Sequence, residues 1–158
     1  MSVEVIKTIS PTTNEEVVTR NGASASDLET IPKVAEEAFR SFRKTTLKDR
    51  QEIVKKFLKG LADHEKELAE ELTVQMGRPT SYTGVEIKTA IKRGEYMLRI
   101  SDEALKDTDG EKEKGFKRFI RKVPVGPVLI IFAWNVSYSH GGKGLLSPGF
   151  RPFSLAVC

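Results

Sequence analysis

The sequence contains very little cysteine and no long apolar run. Of its 158 residues only Cys158 is a cysteine, which excludes an internal disulfide and any multi-cysteine metal site. No apolar run approaches the length that spans a membrane, and Glu4 and Lys7 interrupt the apolar residues at the start, unlike a secretory signal. These absences predict an intracellular, cytoplasmic protein with no membrane attachment and no bound metal.

Composition and charge are those of an ordinary globular domain. Hydrophobic residues make up 39% of the chain and charged residues 30%, so a disordered chain is not expected. The net charge of +4 does not by itself indicate a nucleic-acid partner, because acidic residues are interspersed with basic ones. The length suits one domain with a real core.

The most informative stretch is an unbroken apolar run from Val128 to Phe132, preceded by Gly126-Pro127 and followed by Ala133, Trp134 and Asn135. A short run without polar alternation predicts a strand buried on both faces, as in a parallel sheet covered by helices. A buried helix of this length is the alternative, but the β-branched residues and Pro127 favour the strand. Ligands of α/β sheets bind where strands end, which is where Trp134 and Asn135 are expected.

Upstream, the pattern predicts a β-hairpin and four helices. The hairpin has extended segments around Val5 and Val17 with a turn at residues 10–14. The first helix begins either at a capping box from Ser26 to Glu29 or at Thr30, which would place Pro32 in the first turn. The others span about 47–62, a stretch that ends at Gly77, and about 81–105. The residues predicted to face inward on the second and fourth helices are Ile53, Val54, Phe57, Leu58, Leu61, Ile87, Ala90, Ile91, Gly94, Met97, Leu98 and Ser101.

Residues 123–135 resemble a segment of the aldehyde dehydrogenase superfamily that reads, loosely, Pro-x-Gly-Val-x-x-x-Ile-x-Pro-Trp-Asn. Pro124, Gly126, Ile131, Trp134 and Asn135 fall on matching positions, whereas Pro127 and Ala133 replace the usual Val and Pro. The helical region is similar to the family's in order and spacing, up to Met76-Gly77-Arg78-Pro79. The resemblance covers residues 1–135.

This resemblance implies an α/β fold: the helix-rich N-terminal part of an aldehyde dehydrogenase-like fold, with a short β-hairpin and the first strand of an incomplete Rossmann-like domain. It implies NAD or NADP as the cofactor, a small aldehyde as the substrate and a homo-oligomer for the intact enzyme. It assigns the Asn135 amide to the oxyanion of the thiohemiacetal. Ile131, Phe132, Ala133 and Trp134 would lie along the cofactor, in a site that is incomplete in this chain.

Residues 117–122 carry four basic side chains between Phe116 and Val123. Phosphate contacts and base stacking by such a segment are one interpretation. A half-exposed strand with its basic residues outward is favoured, and the family has an extended segment here. We therefore expect no nucleic-acid partner.

After Asn135 the sequence shows no helical period, strand alternation or family pattern, so residues 136–158 are expected to be a non-homologous, disordered tail. One hypothesis is translated intron, because Val136-Ser137 can be encoded by the splice-donor sequence GTAAGT. His140-Gly141-Gly142-Lys143-Gly144 lacks Walker spacing. Cys158 has no base or helix dipole nearby in sequence and does not resemble the family's Gly-Gln-x-Cys nucleophile.

The resemblance also implies a general-base glutamate, which the chain lacks together with the nucleophile. We expect a truncated family member that is inactive as this chain and binds no cofactor on its own. The alternative is a helical protein-interaction module without catalysis.

Overall fold

The computed structural model of the chain describes residues 4–129. In this range a β-hairpin is followed by four helices and a second, shorter hairpin. The elements are β1 (Val5–Ile9), β2 (Glu16–Asn21), α1 (Ala25–Phe42), α2 (Leu47–Asp63), α3 (Glu65–Met76), α4 (Thr80–Leu105), β3 (Thr108–Asp109) and β4 (Phe119–Ile120). The predicted hairpin and the predicted helices are therefore confirmed.

The first hairpin forms where its turn chemistry predicts. Strands β1 and β2 pair antiparallel, with Val5 opposite Asn21 and Thr8 opposite Val18. Asn14 adopts a positive φ of 59°, a conformation that Asn tolerates better than most residues. The backbone N–H of Ser10 donates to the carbonyl of Glu15 over 2.8 Å, which closes the turn.

Helix α1 begins earlier than either predicted start, so the proposed caps at Ser26 and Thr30 are wrong. Ser24 is the N-cap: its hydroxyl accepts from the Asp27 N–H at 3.1 Å, while Asp27 accepts from the Ser24 N–H at 2.8 Å. Pro32 consequently lies inside the helix. Leu28 and Pro32 are both exposed, so water can reach the Leu28 carbonyl that Pro32 leaves without its helical donor.

Helices α2 and α4 pack against each other along a narrow stripe. Val54, Leu58 and Leu61 are buried on α2, and Ile87, Ala90, Gly94 and Ser101 are buried on α4. The predicted inward positions of Ile53 and Phe57 are wrong, because these side chains are 38% and 42% exposed. They lie next to the buried Val54 and Leu58 along α2.

Polar contacts tie the helices together at specific positions. The Gln51 amide on α2 donates to the buried Ser101 hydroxyl on α4 over 2.8 Å. Near the start of α4, Arg78 forms an ion pair with Glu86, whose side chain is 3% exposed. A buried carboxylate needs such a partner, because an unpaired charge there would be strongly destabilising.

Candidate functional site

The residues assigned by resemblance to the oxyanion and the cofactor, Ile131 to Asn135, lie outside the described residues. The structure does describe the chain that leads to them, from the end of α4 through Leu129. We call residues 121–129 the approach segment. Its contacts show how the helical region holds the chain just before the candidate site.

The approach segment emerges from the hairpin formed by β3 and β4. Thr108 pairs with Ile120 and Asp109 with Phe119, and the Gly110 N–H donates to the Arg118 carbonyl over 3.0 Å. Sequence analysis did not anticipate strand β3. All four strand residues are exposed.

Arg121 and Asp107 anchor the base of this hairpin. The Arg121 guanidinium donates through Nη2 over 2.6 Å and through Nε over 3.0 Å to the two carboxylate oxygens. This bidentate hydrogen bonding lowers the pKa of Asp107 below its usual value and raises the pKa of Arg121. The arrangement fixes the first residue of the approach segment to the end of α4.

Most of the basic residues of segment 117–122 have partners inside the chain. Arg118 forms an ion pair with Glu113, and Arg121 pairs with Asp107. The Lys122 ammonium donates to the Ala104 carbonyl at 2.7 Å, near the C-terminal end of α4. Only Phe119 and Ile120 of this segment form a strand, and both are exposed, so the predicted half-exposed strand does not extend over residues 117–122.

Beyond Lys122, the approach segment borders a small pocket of about 150 Å³. The pocket is lined by Leu47, Arg50, Leu105, Lys122, Val123, Pro124 and Val125. It therefore lies where the start of α2, the end of α4 and the approach segment meet. We refer to it as the Arg50 pocket.

Gly126 occupies the glycine position of the Pro-x-Gly pattern and has a φ of 147°. Side chains rarely adopt this backbone conformation, which gives a physical reason for glycine there. The next residues, Val128 and Leu129, have no regular secondary structure, and Leu129 is 62% exposed. Residues 130–132 of the predicted strand lie outside the described part of the chain.

A larger groove of about 480 Å³ runs along α4, lined by Thr89, Lys92, Arg93, Tyr96 and Met97. The groove is mainly apolar, with basic residues along it. Sequence analysis missed it, because the periodicity of α4 identifies the stripe that packs on α2 and says little about the opposite side of the helix.

Neither a metal centre nor a membrane-spanning helix occurs in the part of the chain that the structure describes. Residues 4–129 contain no group of three or more His, Cys, Asp or Glu side chains arranged to hold a metal ion. Over the same residues, no helix is both long and apolar enough to cross a bilayer.

The sequence model for the aldehyde dehydrogenase family matches residues 1–144. The N-succinylglutamate 5-semialdehyde dehydrogenase of Pseudomonas fluorescens (strain Pf0-1) is 24% identical over 135 residues, which are 84% of this chain and 27% of that protein. The succinate semialdehyde dehydrogenase [NAD(P)+] Sad of Escherichia coli (strain K12) is 26% identical over 127 residues, which are 80% of this chain and 27% of that protein.

A mutant of the indole-3-acetaldehyde dehydrogenase AldA of P. syringae, solved with NAD+ and IAA, superimposes with a TM-score of 0.84 at 24% identity. The superposition covers 93% of this chain and 31% of AldA. The helix-rich region with its short hairpin is thus part of an α/β dehydrogenase fold. The chain belongs to the aldehyde dehydrogenase family. It spans about 27% of the length of the curated relatives it matches.

Proposed function

We propose that this chain supplies the N-terminal helical layer and the first cofactor-domain strand of an NAD(P)-dependent enzyme that oxidises an aldehyde to a carboxylic acid. The match to the family over residues 1–144 carries the proposal, because it spans both the helices and the segment that ends in Asn135. In this role α2 and α4 form a rigid base, and the Arg121–Asp107 pair positions the approach segment on it.

Asn135 is proposed to donate its side-chain amide to the oxyanion that forms when a cysteine thiolate attacks the aldehyde. Such a donor stabilises charge that exists in the transition state and not in the substrate. Ile131 to Trp134 are proposed to lie along NAD or NADP, which accepts the hydride. The named substrates of two relatives, N-succinylglutamate 5-semialdehyde and succinate semialdehyde, make succinate semialdehyde the first aldehyde to test.

The residues 1–158 alone are proposed to be inactive and to bind no cofactor. By the family resemblance, oxidation also requires a nucleophilic cysteine in a Gly-Gln-x-Cys setting and a glutamate that activates water. The single cysteine of this chain, Cys158, is not in that setting. Residues 136–158 are proposed to contribute no catalytic group.

The role of Asn135 is tested in a chimaera that joins residues 1–135 of this chain to the part of E. coli Sad that follows the matched region. We expect NAD(P)-dependent oxidation of succinate semialdehyde, lowered in kcat by about 100-fold or more in the Asn135→Ala variant. Asn21→Ala, on exposed strand β2, serves as the matched control and should retain full activity. An Asn135→Ala chimaera as fast as its parent would refute the assigned role.

A helical interaction module is the second candidate. The exposed Ile53 and Phe57 on α2 and the mainly apolar groove on α4 favour it, because both are surfaces that a protein partner could cover. The proposed partner is a full-length aldehyde dehydrogenase. Co-purification with such an enzyme that is lost in Phe57→Ser, but kept in Lys56→Ser at the adjacent exposed position, would support this candidate.

A further inference from the structure

Helix α1 has a continuous apolar face that is shielded from solvent. Its side chains recur at spacings of three and four residues, which places them on one side of the helix. We call this set the α1 stripe, and it consists of Ile31, Ala35, Ala38, Phe39 and Phe42. Phe39 is 7% exposed and the other four are half-buried, whereas Leu28 and Val34 beside the stripe are 60% and 55% exposed.

Broad packing on another described helix or strand does not explain this shielding. Apart from the two hairpins, the packed pairs in the described part of the chain are α2–α4, α3–α4, α2–α3 and α3–β2, and α1 belongs to none of them. The Arg43 guanidinium lies over the Phe39 ring, 5.4 Å from its centroid, and covers one side of that ring. An apolar helix face that stays out of water needs a partner along its length.

The approach segment comes close to the C-terminal end of α1. Its residues 123–125 line the Arg50 pocket together with Leu47 and Arg50, at the start of α2. Only residues 43–46 separate the end of α1 from the start of α2. Their turn is tight, because the Thr45 N–H donates to the Phe42 carbonyl over 2.9 Å. The chain that continues from the pocket therefore starts within reach of the α1 stripe.

The apolar run Val128–Phe132 matches the α1 stripe in character and length. The sequence has no charged residue from Val123 to Trp134, and the stripe has none either. In extended conformation, residues 126–134 span about 30 Å at about 3.3 Å per residue. The 18 residues of α1 span about 27 Å. The run lacks polar alternation, so each of its faces requires an apolar cover, and α2 and α4 already pack their buried side chains against each other.

We propose that the α1 stripe is the docking surface for the apolar run Val128–Phe132 and covers one face of that run. The occupant is a segment of this same chain, of which residues 130–132 lie outside the described part. The packing itself does not depend on the function proposed above. Its consequence rests on that function: by holding the strand that leads to Asn135, α1 helps to position the proposed oxyanion donor.

The direct test is an NMR measurement on the isotopically labelled 158-residue chain. We expect nuclear Overhauser effects between the Phe39 ring protons and the methyl groups of either Ile130 or Ile131, because successive side chains of a strand point to opposite faces. A mixture of labelled and unlabelled chains separates contacts within one chain from contacts between two copies. The absence of any contact between the ring and the run, or a contact found only between copies, would overturn the proposal.

Ala35→Asp places a charge in the α1 stripe, where an unpaired carboxylate is costly to bury. It should abolish the contacts of Phe39 with the run and return the Ile130 and Ile131 methyl resonances to their positions in an unstructured chain. Val34→Asp places the same charge at the neighbouring exposed position and should leave these contacts and resonances unchanged.

The methyl resonances of Ile87, which is fully buried on α4, report whether each variant still folds. If Ala35→Asp unfolds the helices, the contacts of Phe39 in the wild-type chain still decide the question. Contacts that persist in a folded Ala35→Asp variant would overturn the proposal. The activity of the chimaera and its Asn135→Ala variant is measured separately, so a failure of this packing is distinguishable from a failure of the proposed function.

Discussion

At the scale of single residues, Gly77 shows how closely the helical region is fitted to the first hairpin. It ends α3 with a φ of 68°. A Cβ added there would lie 2.7 Å from Cγ of Pro11, in the turn between β1 and β2. The residue therefore meets two separate constraints, one from the backbone and one from packing.

We expect Gly77→Ala to lower the free energy of unfolding by about 1–2 kcal/mol, from the left-handed conformation alone. The contact with Pro11 adds to this cost. Gly60→Ala is the matched control, because Gly60 lies within α2 and a Cβ there meets nothing within 4 Å. It should stabilise the protein by about 0.5–1 kcal/mol. Urea denaturation measures the free energy of unfolding of both variants. An unchanged value for Gly77→Ala would show that the turn at Pro11 does not pack against the end of α3 as described.

The N-cap of α1 provides a second test at this scale. Ser24→Ala should cost about 1 kcal/mol, because it removes the acceptor for the Asp27 N–H. Ser26→Ala removes the hydroxyl that sequence reasoning had assigned as the cap, and it should change stability by less than about 0.5 kcal/mol. If Ser26→Ala lowered the stability in urea denaturation more than Ser24→Ala, the predicted start of the helix at Ser26 would be correct.

These residues also show what sequence reasoning captured. The end of α3 at Gly77 could be predicted from the sequence Gly-Arg-Pro, because a helix stop signal of this kind involves only neighbouring residues. The start of α1 was predicted wrongly because Ser26 and Glu29 have capping-box spacing, whereas Ser24 and Asp27, two residues earlier, form the box in the structure. The alternative start at Thr30 was wrong because it assumed that Pro32 must lie in the first turn. Pro32 is tolerated inside α1 because its position is exposed.

At the scale of elements, α4 is the helix against which α2 and α3 both pack. Ile87, two turns from the start of α4, is fully buried. The bounds of α4 were predicted closely from periodicity. The exposure of Ile53 and Phe57 on α2 was not predicted. The width of an apolar stripe in the sequence does not show how much of that stripe a neighbouring element covers.

Ile87→Ala should lower the free energy of unfolding by about 2–5 kcal/mol, through lost burial and the cavity left behind. Val85→Ala lies two residues earlier on the same helix, where the side chain is 58% exposed. It should cost less than about 0.5 kcal/mol. Similar losses for the two variants in thermal unfolding would contradict the described packing of α4.

The β3–β4 hairpin should respond to acid through Asp107. The folded-state pKa of Asp107 lies below its unfolded value because Arg121 hydrogen-bonds the carboxylate. The stabilisation is therefore complete above the unfolded pKa of about 3.9 and is lost as the pH falls through the lower, folded pKa. Protection of the Gly110 amide should be constant from pH 7 to about pH 5 and should fall below about pH 4.

Asp107→Asn should weaken this protection at neutral pH and remove much of its acid dependence. Glu113→Gln removes the other ion pair of the hairpin and separates its contribution from that of Asp107. Amide hydrogen exchange followed by NMR measures the protection of the Gly110 amide in each variant. An unchanged pH profile in Asp107→Asn would show that the pair does not hold the hairpin.

At the scale of the whole molecule, residues 4–129 form the helical region and the approach segment of an aldehyde dehydrogenase fold. The family could be predicted because the order of several weak signals, ending in Trp134-Asn135, is specific when taken together. The geometry at Asn135 could not be predicted from the sequence, since an oxyanion donor is defined by its distance to atoms of a substrate. The Arg50 pocket escaped notice for a related reason: it joins residues from three distant parts of the chain.

The central claim is that residues 1–158 carry the helical base and oxyanion strand of the enzyme but not the groups that turn substrate over. The direct measurement is NADH or NADPH formation by the purified chain with succinate semialdehyde and other small aldehydes. We predict no rate above background, and no difference between the wild-type chain and Cys158→Ala. Turnover above background that disappears in Cys158→Ala would contradict the claim.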